Sequence, residues 1–197
     1  MRPERDFSPY MEAVRSRAVE VPYNPPVVFL ETVRGCPHSC AMCHFRHTKV
    51  RRMGASLLDR LEPCFQDLEV LAVHGQGEPL LGDLEYFVEQ SVKSRFVLHM
   101  NTSGFLLTKR LSDLLSQTRL SIRFSVHAGA PETYRRIMGH DLGKVKRNVS
   151  YLVDMARESG HASDFWFSFL VMKENVREIE AFLHLAHDCG IKSVRFM

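Results

Sequence analysis

Apolar residues fall along the chain in two alternating rhythms. Short apolar runs, rich in β-branched and aromatic residues, occupy 27–33, 68–74, 96–100, 120–126, 165–172 and 193–197. Runs of this length bounded by Gly, Pro or polar residues read as strands. Between them the apolar positions recur at helical spacing. Leu57, Leu58 and Leu61 open one helix, 84–92 and 109–115 carry two more, and 143–158 repeats through Val145, Val149, Leu152, Val153 and Ala156. The last, 178–188, runs through Ile179, Phe182, Leu183 and Ala186, with Gly190 as its C-terminal stop. Strands alternating with helices predict parallel pairing through right-handed crossovers. Six strands and five helices predict an α/β fold, a partial (β/α)6 TIM-like barrel with parallel strands, ending at the sixth strand.

The rhythm starts at Val27, so residues 1–26 read as an N-terminal extension and 27–197 as the core domain. The extension is charged and carries Pro3, Pro9, Pro22, Pro25 and Pro26, with a short helix expected within 7–19. No helix follows the sixth strand, although a buried parallel strand needs a cover. The core is therefore expected to be incomplete at its C-terminus.

Composition narrows the class without choosing a function. The chain has 197 residues, 45% hydrophobic and 25% charged, which suits one globular domain. A net charge of +3 is too small to argue for nucleic acid, and the run Lys49-Val50-Arg51-Arg52 reads as a solvated basic turn. No apolar stretch approaches the ~18 residues of a membrane span, and no signal-peptide apolar region follows the N-terminus. Five cysteines, three of them crowded, do not form a secreted disulfide framework. A cytoplasmic setting is expected.

The crowded three are Cys36, Cys40 and Cys43, in the stretch Glu31-Thr-Val-Arg-Gly-Cys-Pro-His-Ser-Cys-Ala-Met-Cys43 directly behind the first strand. A loop at the carboxyl end of a strand is where α/β proteins place their chemistry. Three thiolates this close can converge on one metal centre. An iron–sulfur cubane takes Cys ligands, normally four, so three leave one iron open. A zinc-stabilised binding module using Cys36, Cys40, Cys43 and His47, with His38 and His44 nearby, is the alternative. A ferredoxin-like carrier would want a fourth cysteine close by, and none follows until Cys64. The second strand ends in His74-Gly-Gln-Gly-Glu-Pro-Leu80, where glycines admit a ligand to the backbone and an acid can meet an ammonium group.

CxxxCxxC behind a strand, in the setting Glu-Thr-x-x-x-Cys, resembles the radical S-adenosylmethionine (radical SAM) superfamily. The resemblance implies that Cys36, Cys40 and Cys43 hold a 4Fe–4S cluster whose open iron is chelated by S-adenosylmethionine. Gly77, Glu78 and Pro79 match the family's Gly-Gly-Glu-Pro motif, with Gln76 in place of its first Gly; Glu78 is then expected near the cofactor's ammonium. Asn101-Thr-Ser-Gly104 resembles the family's Thr-Asn-Gly turn. Ser125 matches a serine that contacts the methionine carboxylate or the ribose, while His127 stands where many relatives carry Asp. Met42 takes the place of an aromatic residue near adenine, and the backbone from Val194 to Met197 would face adenine. The turn at 172–175 resembles that of peptide-modifying relatives, and Lys173 is a candidate for the substrate pocket. Cys64 and Cys189 cannot supply a second cluster, unlike the C-terminal auxiliary clusters of peptide-maturing and sulfatase-maturing relatives.

The implied activity is reductive cleavage of S-adenosylmethionine to methionine and a 5′-deoxyadenosyl radical, which abstracts hydrogen from a substrate. The implied partners are an electron donor such as flavodoxin or ferredoxin and a peptide or small-molecule substrate, with no membrane. Nucleic acid enters only through a minor alternative, the RNA methyl-transferring branch, which Gly-x-Gly-Glu-Pro-Leu-Leu with Ser-x-His-Ala also resembles.

Overall fold

A computed structural model describes residues 6–21, 23–46 and 48–197. The strands among them are β1 (Val27–Phe29), β2 (Val33–Arg34), β3 (Arg51–Arg52), β4 (Val70–Ala72), β5 (Val97–Thr102), β6 (Leu120–Ser125), β7 (Asp164–Phe169) and β8 (Ser193–Phe196). The helices are α1 (Ser8–Ser16), α2 (Ala55–Leu61), α3 (Leu84–Ser94), α4 (Lys109–Leu115), α5 (Pro131–Met138), α6 (Leu142–Glu158) and α7 (Ile179–Asp188). In space β1-β4-β5-β6-β7-β8 make one sheet, every neighbouring pair parallel. This is the expected partial barrel, with β1 and β8 as its open edges.

The strands form because each carries one apolar face. The pattern Leu-Ser-Ile-Arg-Phe-Ser in β6 alternates buried and half-buried residues, and β5 does the same in register. Successive strand residues point to opposite faces. One face, with Leu98, Met100, Ile122 and Phe124 fully buried, packs under the helices. There the rings of Phe167 and Phe169 meet Phe182 of α7, at 5.9 and 4.7 Å between centroids. Each fully buried side chain of this size stabilises the fold by ~1.5–3 kcal/mol. The other face turns to the barrel lumen and is polar. It presents the rows His99–Ser121–Asp164, Asn101–Arg123–Trp166–Ser193 and Ser125–Ser168–Arg195.

Caps set the helix limits. Asp83, Thr108 and Asp141 accept from the backbone N–H three residues on, opening α3, α4 and α6. Gly190, with φ 70°, lies one residue past the C-cap of α7 and donates to His187 O at 2.8 Å. Ile191 N then donates to Ala186 O at 2.9 Å, a closed helix terminus of the kind expected there.

Three features differ from the sequence reading. The first strand does not run through to Val33; it stops at Phe29, and Val33–Arg34 turns aside to pair antiparallel with Arg51–Arg52. The basic run is thus half of a small ladder rather than a turn, although both arginines are exposed. A further helix, α5, precedes α6. In the extension, α1 buries none of its residues, and the Tyr10 hydroxyl donates to Asn24 O at 3.2 Å. No helix among the described residues is long and apolar enough to cross a membrane.

Candidate active site

The cysteine loop is closed at its neck by the β2–β3 ladder, which joins Val33 to Arg52 and Arg34 to Arg51. Gly35, at φ 87°, then turns the chain towards the second strand end. Its N–H donates to Gln76 O at 3.1 Å, and Gly35 bridges Gly77 in parallel. A Cβ at Gly77 would collide with the backbone carbonyls of Val33 and Gly35, so only glycine lets the two segments touch. The far side of the loop rests on α5: Ala41 N donates to Ile137 O at 2.7 Å, and the Cys40 thiol lies 3.9 Å from Met138 O.

All three cysteines are free and half-buried on this loop, which is turn rather than helix. Burial, foremost, pushes the Cys36 and Cys40 thiols up to about 11; the neighbouring thiols and Glu78 add to the shift. Ionised, the three would repel one another, so they suit a cationic centre that binds them as thiolates. Among the described residues no three His, Cys, Asp or Glu side chains gather around a single-ion position. Three free thiols on one loop are the donor type that a cubane takes at its separate corners. His47 of the zinc alternative lies outside the described residues, and His44 is exposed.

Glu78 is the buried hub behind the loop. Its carboxylate, 3% exposed, accepts from Thr102 Oγ1 at 2.6 Å, Ser103 Oγ at 3.0 Å, Ser103 N at 3.2 Å and Leu80 N at 3.3 Å. His38 Nε2 shares a 2.9 Å hydrogen bond with Ser103 Oγ and stands 3.4 Å from Glu78 Oε2. The sequence reading set this carboxylate against a ligand's ammonium; its two oxygens accept these four protein hydrogen bonds. In the same turn the Gln76 backbone is committed on both sides: its N–H donates to Glu31 Oε1 at 2.6 Å and its carbonyl accepts from Gly35 N. Pro79 is buried and opens the 3-10 turn that follows.

The other predicted residues divide. Ser125 ends β6 half-buried on the lumen side, level with Ser168 of β7. Met42 is half-buried and packs on the core. Met197 continues the β7–β8 ladder: its N–H donates to Phe169 O and its carbonyl accepts from Val171 N, both at 3.0 Å. Its backbone groups are therefore committed inward, and those of Val194 and Phe196 alternate to the open edge. Lys173 is exposed, whereas Asn175 of the same turn is fully buried, donating to His127 O and Leu170 O. His127 is buried too; its Nδ1 accepts from Leu170 N at 3.1 Å, and burial pulls its pKa down to about 4. Cys64 lies in a 3-10 turn and Cys189 caps α7, buried, so neither belongs to the loop.

Sequence alone did not read His140, nor the joining of His38, Thr102 and Ser103 to Glu78. The His140 ring stacks on Phe105 at 4.2 Å and meets His38 edge-on at 4.2 Å. Burial, then His38 and Lys144, pull its pKa down to about 4. The aromatic-rich environment between α5 and α6 thereby backs the loop.

A loop of three cysteines beside a glycine turn, at the carboxyl edge of an open parallel barrel, defines an enzyme built to carry a cofactor there. The chain belongs to the Radical SAM superfamily, whose sequence model matches residues 30–186. It is 32% identical over 111 residues to a probable GTP 3′,8-cyclase of Pyrobaculum aerophilum, covering 53% of this chain and 35% of that protein. The fold is shared with Streptococcus suis SuiB bound to S-adenosylmethionine, at a TM-score of 0.74 and 14% identity over 93% of this chain and 43% of that one. It is shared also with native anSMEcpe with bound AdoMet, at 0.68 and 18% identity over 88% and 51%. The chain thus spans only about a third to a half of these relatives' own length. Enzymes of this family use a 4Fe–4S cluster and S-adenosylmethionine.

Proposed function

We propose that Cys36, Cys40 and Cys43 hold a 4Fe–4S cluster, and that S-adenosylmethionine lies across the carboxyl ends of the strands. The observation that carries this is the Gly35–Gly77 bridge, which sets the cysteine loop directly against the Gly75–Gly77 backbone. When bound, the cluster supplies the electron that opens the sulfonium to methionine and a 5′-deoxyadenosyl radical, which takes hydrogen from the substrate. The protein's part is placement and exclusion of water. Glu78 holds the glycine turn by its four bonds, Ser125 meets the cofactor's carboxylate or ribose, and Met42 packs beside adenine. Backbone groups of Val194 and Phe196 on the open edge of β8, beside Met197, offer adenine its hydrogen bonds. An electron donor such as flavodoxin or ferredoxin is required. The substrate is a peptide or a small molecule, and the likeness to the cyclase favours the small molecule.

Anaerobic reconstitution tests the reading: about four irons and four sulfides per chain are expected. Cys40→Ala removes the brown absorbance, while Cys64→Ala and Cys189→Ala keep it. A full cluster in Cys40→Ala overturns the assignment. Ser125→Ala weakens S-adenosylmethionine binding by up to about tenfold, the worth of one hydrogen bond; unchanged affinity removes Ser125 from the site.

A further inference from the structure

The lumen face carries polar atoms that the fold leaves without partners. Asn101 Oδ1, Arg123 Nε and Trp166 Nε1 are each buried and unbonded. They are not scattered: Asn101 pairs with Arg123, and Arg123 with Trp166, in one register row across β5, β6 and β7. Buried polar atoms are almost always satisfied in a folded protein, so a row of two unmet donors and one unmet acceptor on a single surface calls for an explanation. The surrounding charge is one-sided. Arg123 has no ion-pair partner among the described residues, and Arg195 of β8, one layer nearer the strand ends, has none either. Asp164, on the row below, forms no ion pair with Arg123. The field of Arg123 also depresses the His74 and His99 imidazoles, after burial, and those rings lie 5.5 Å apart on the same face. His99 in turn meets the Trp166 ring edge-on at 6.3 Å.

We propose that this row is the substrate's anion subsite, in which Arg123 with the Trp166 indole binds an oxyanion, a phosphate or a carboxylate, and Asn101 meets a donor group beside it. The inference rests on the lumen being the substrate chamber of the enzyme proposed above. Arginine's planar fork with Nε–H suits two-oxygen recognition of either group. The indole N–H adds a neutral donor, and the Asn101 carbonyl accepts from a substrate N–H or O–H beside the anion. Each of the three residues is half-buried, so a side-chain rotation brings its unmet atom to the ligand. Arg195 adds positive potential at the chamber's mouth. One anionic group is thereby held two residues below the Ser125 layer, with the rest of the substrate directed towards the cofactor.

Trp166 is the chain's only tryptophan, so its emission reads the row directly. The chain without its cluster, which would quench, is titrated with inorganic pyrophosphate and separately with citrate, at constant ionic strength. A saturable change in emission with pyrophosphate marks a phosphate-bearing substrate, and one with citrate marks a carboxylate. In Arg123→Gln the affinity is expected to fall at least tenfold, with Arg123→Lys between the two. Arg110→Gln, an exposed arginine on α4, leaves it unchanged. No saturable response to either probe, or equal affinity in Arg123→Gln and the parent chain, overturns the subsite. Circular dichroism of each variant separates lost binding from lost folding, and Arg123→Lys supplies the reduction to be read if Arg123→Gln does not fold. Iron content and S-adenosylmethionine binding, measured on the reconstituted parent chain, fail only if the cofactor reading itself is wrong.

Discussion

The two faces of the central strands share a backbone and little else. On the helix side of β6, Leu120, Ile122 and Phe124 are at most 1% exposed and meet apolar partners. On the lumen side, Ser121, Arg123 and Ser125 alternate with them and remain half-buried. A residue shift of one would exchange the faces, so the alternation is itself the specification of register. The outer face stores stability and the inner face is free to be polar. Substitutions on one should therefore be read in different assays from substitutions on the other.

Four measurements break or sharpen that division. Phe124→Ala should cost ~3–5 kcal/mol in a urea melt, as emptying a core site does; a small loss would mean that the helix layer is loosely packed. Glu78→Gln replaces an acceptor-only group with one carrying two donors against Thr102 and Ser103. It should cost ~1.5–3 kcal/mol of stability as well as cofactor affinity. A loss of affinity with an unchanged melt would show the carboxylate acting as a direct ligand contact instead.

His127 gives the third measurement, because it follows the lumen alternation yet is buried and bonded. Its folded pKa, about 4, lies below the ordinary 6.5. The unfolded chain therefore takes up the proton first, and stability is lost as pH falls from about 6.5 towards about 4. From this group alone the loss between pH 7 and pH 5 is about 2 kcal/mol. Urea midpoints at the two pH values in the parent chain and His127→Asn check it, the variant losing less. The smallest effect belongs to Arg123→Gln, whose melt should move within ~0.5 kcal/mol. A large destabilisation there would place the guanidinium in the fold's own support.

Much of the architecture was legible because its signals are local. All six sheet strands and the helices at 84–92, 109–115, 143–158 and 178–188 announce themselves by period, length and cap. The short β2–β3 ladder did not, because two residues carry no period and their partners lie across a loop. Helix α5 carried visible marks, Pro131 at its start and Gly139 at φ 79° past its end, but too short a run between them. The crowding of Cys36, Cys40 and Cys43 on one loop was legible from their spacing. The inward bonds of Glu78 were not, since Thr102 and Ser103 stand 24 and 25 residues away and His38 reaches Ser103 across 65. No spacing rule connects such residues; the parallel sheet does, by bringing successive strand ends to one edge. The lumen row was written in the alternation of Leu-Ser-Ile-Arg-Phe-Ser, which becomes meaningful only once one face is known to look inward.

The small ladder at the neck of the cysteine loop has a consequence for how the proposed cluster would be built. Closing a flexible segment costs entropy that grows with its length. Here pairing of Val33 with Arg52 and Arg34 with Arg51 meets that cost within the polypeptide, before any iron arrives. The three thiols are held at high effective concentration for one another, so in the proposed site iron and sulfide would enter a socket whose rim is already drawn together. Oxidative loss of the cluster would then leave the sheet standing and the socket shaped for refilling, and the site becomes a rechargeable one.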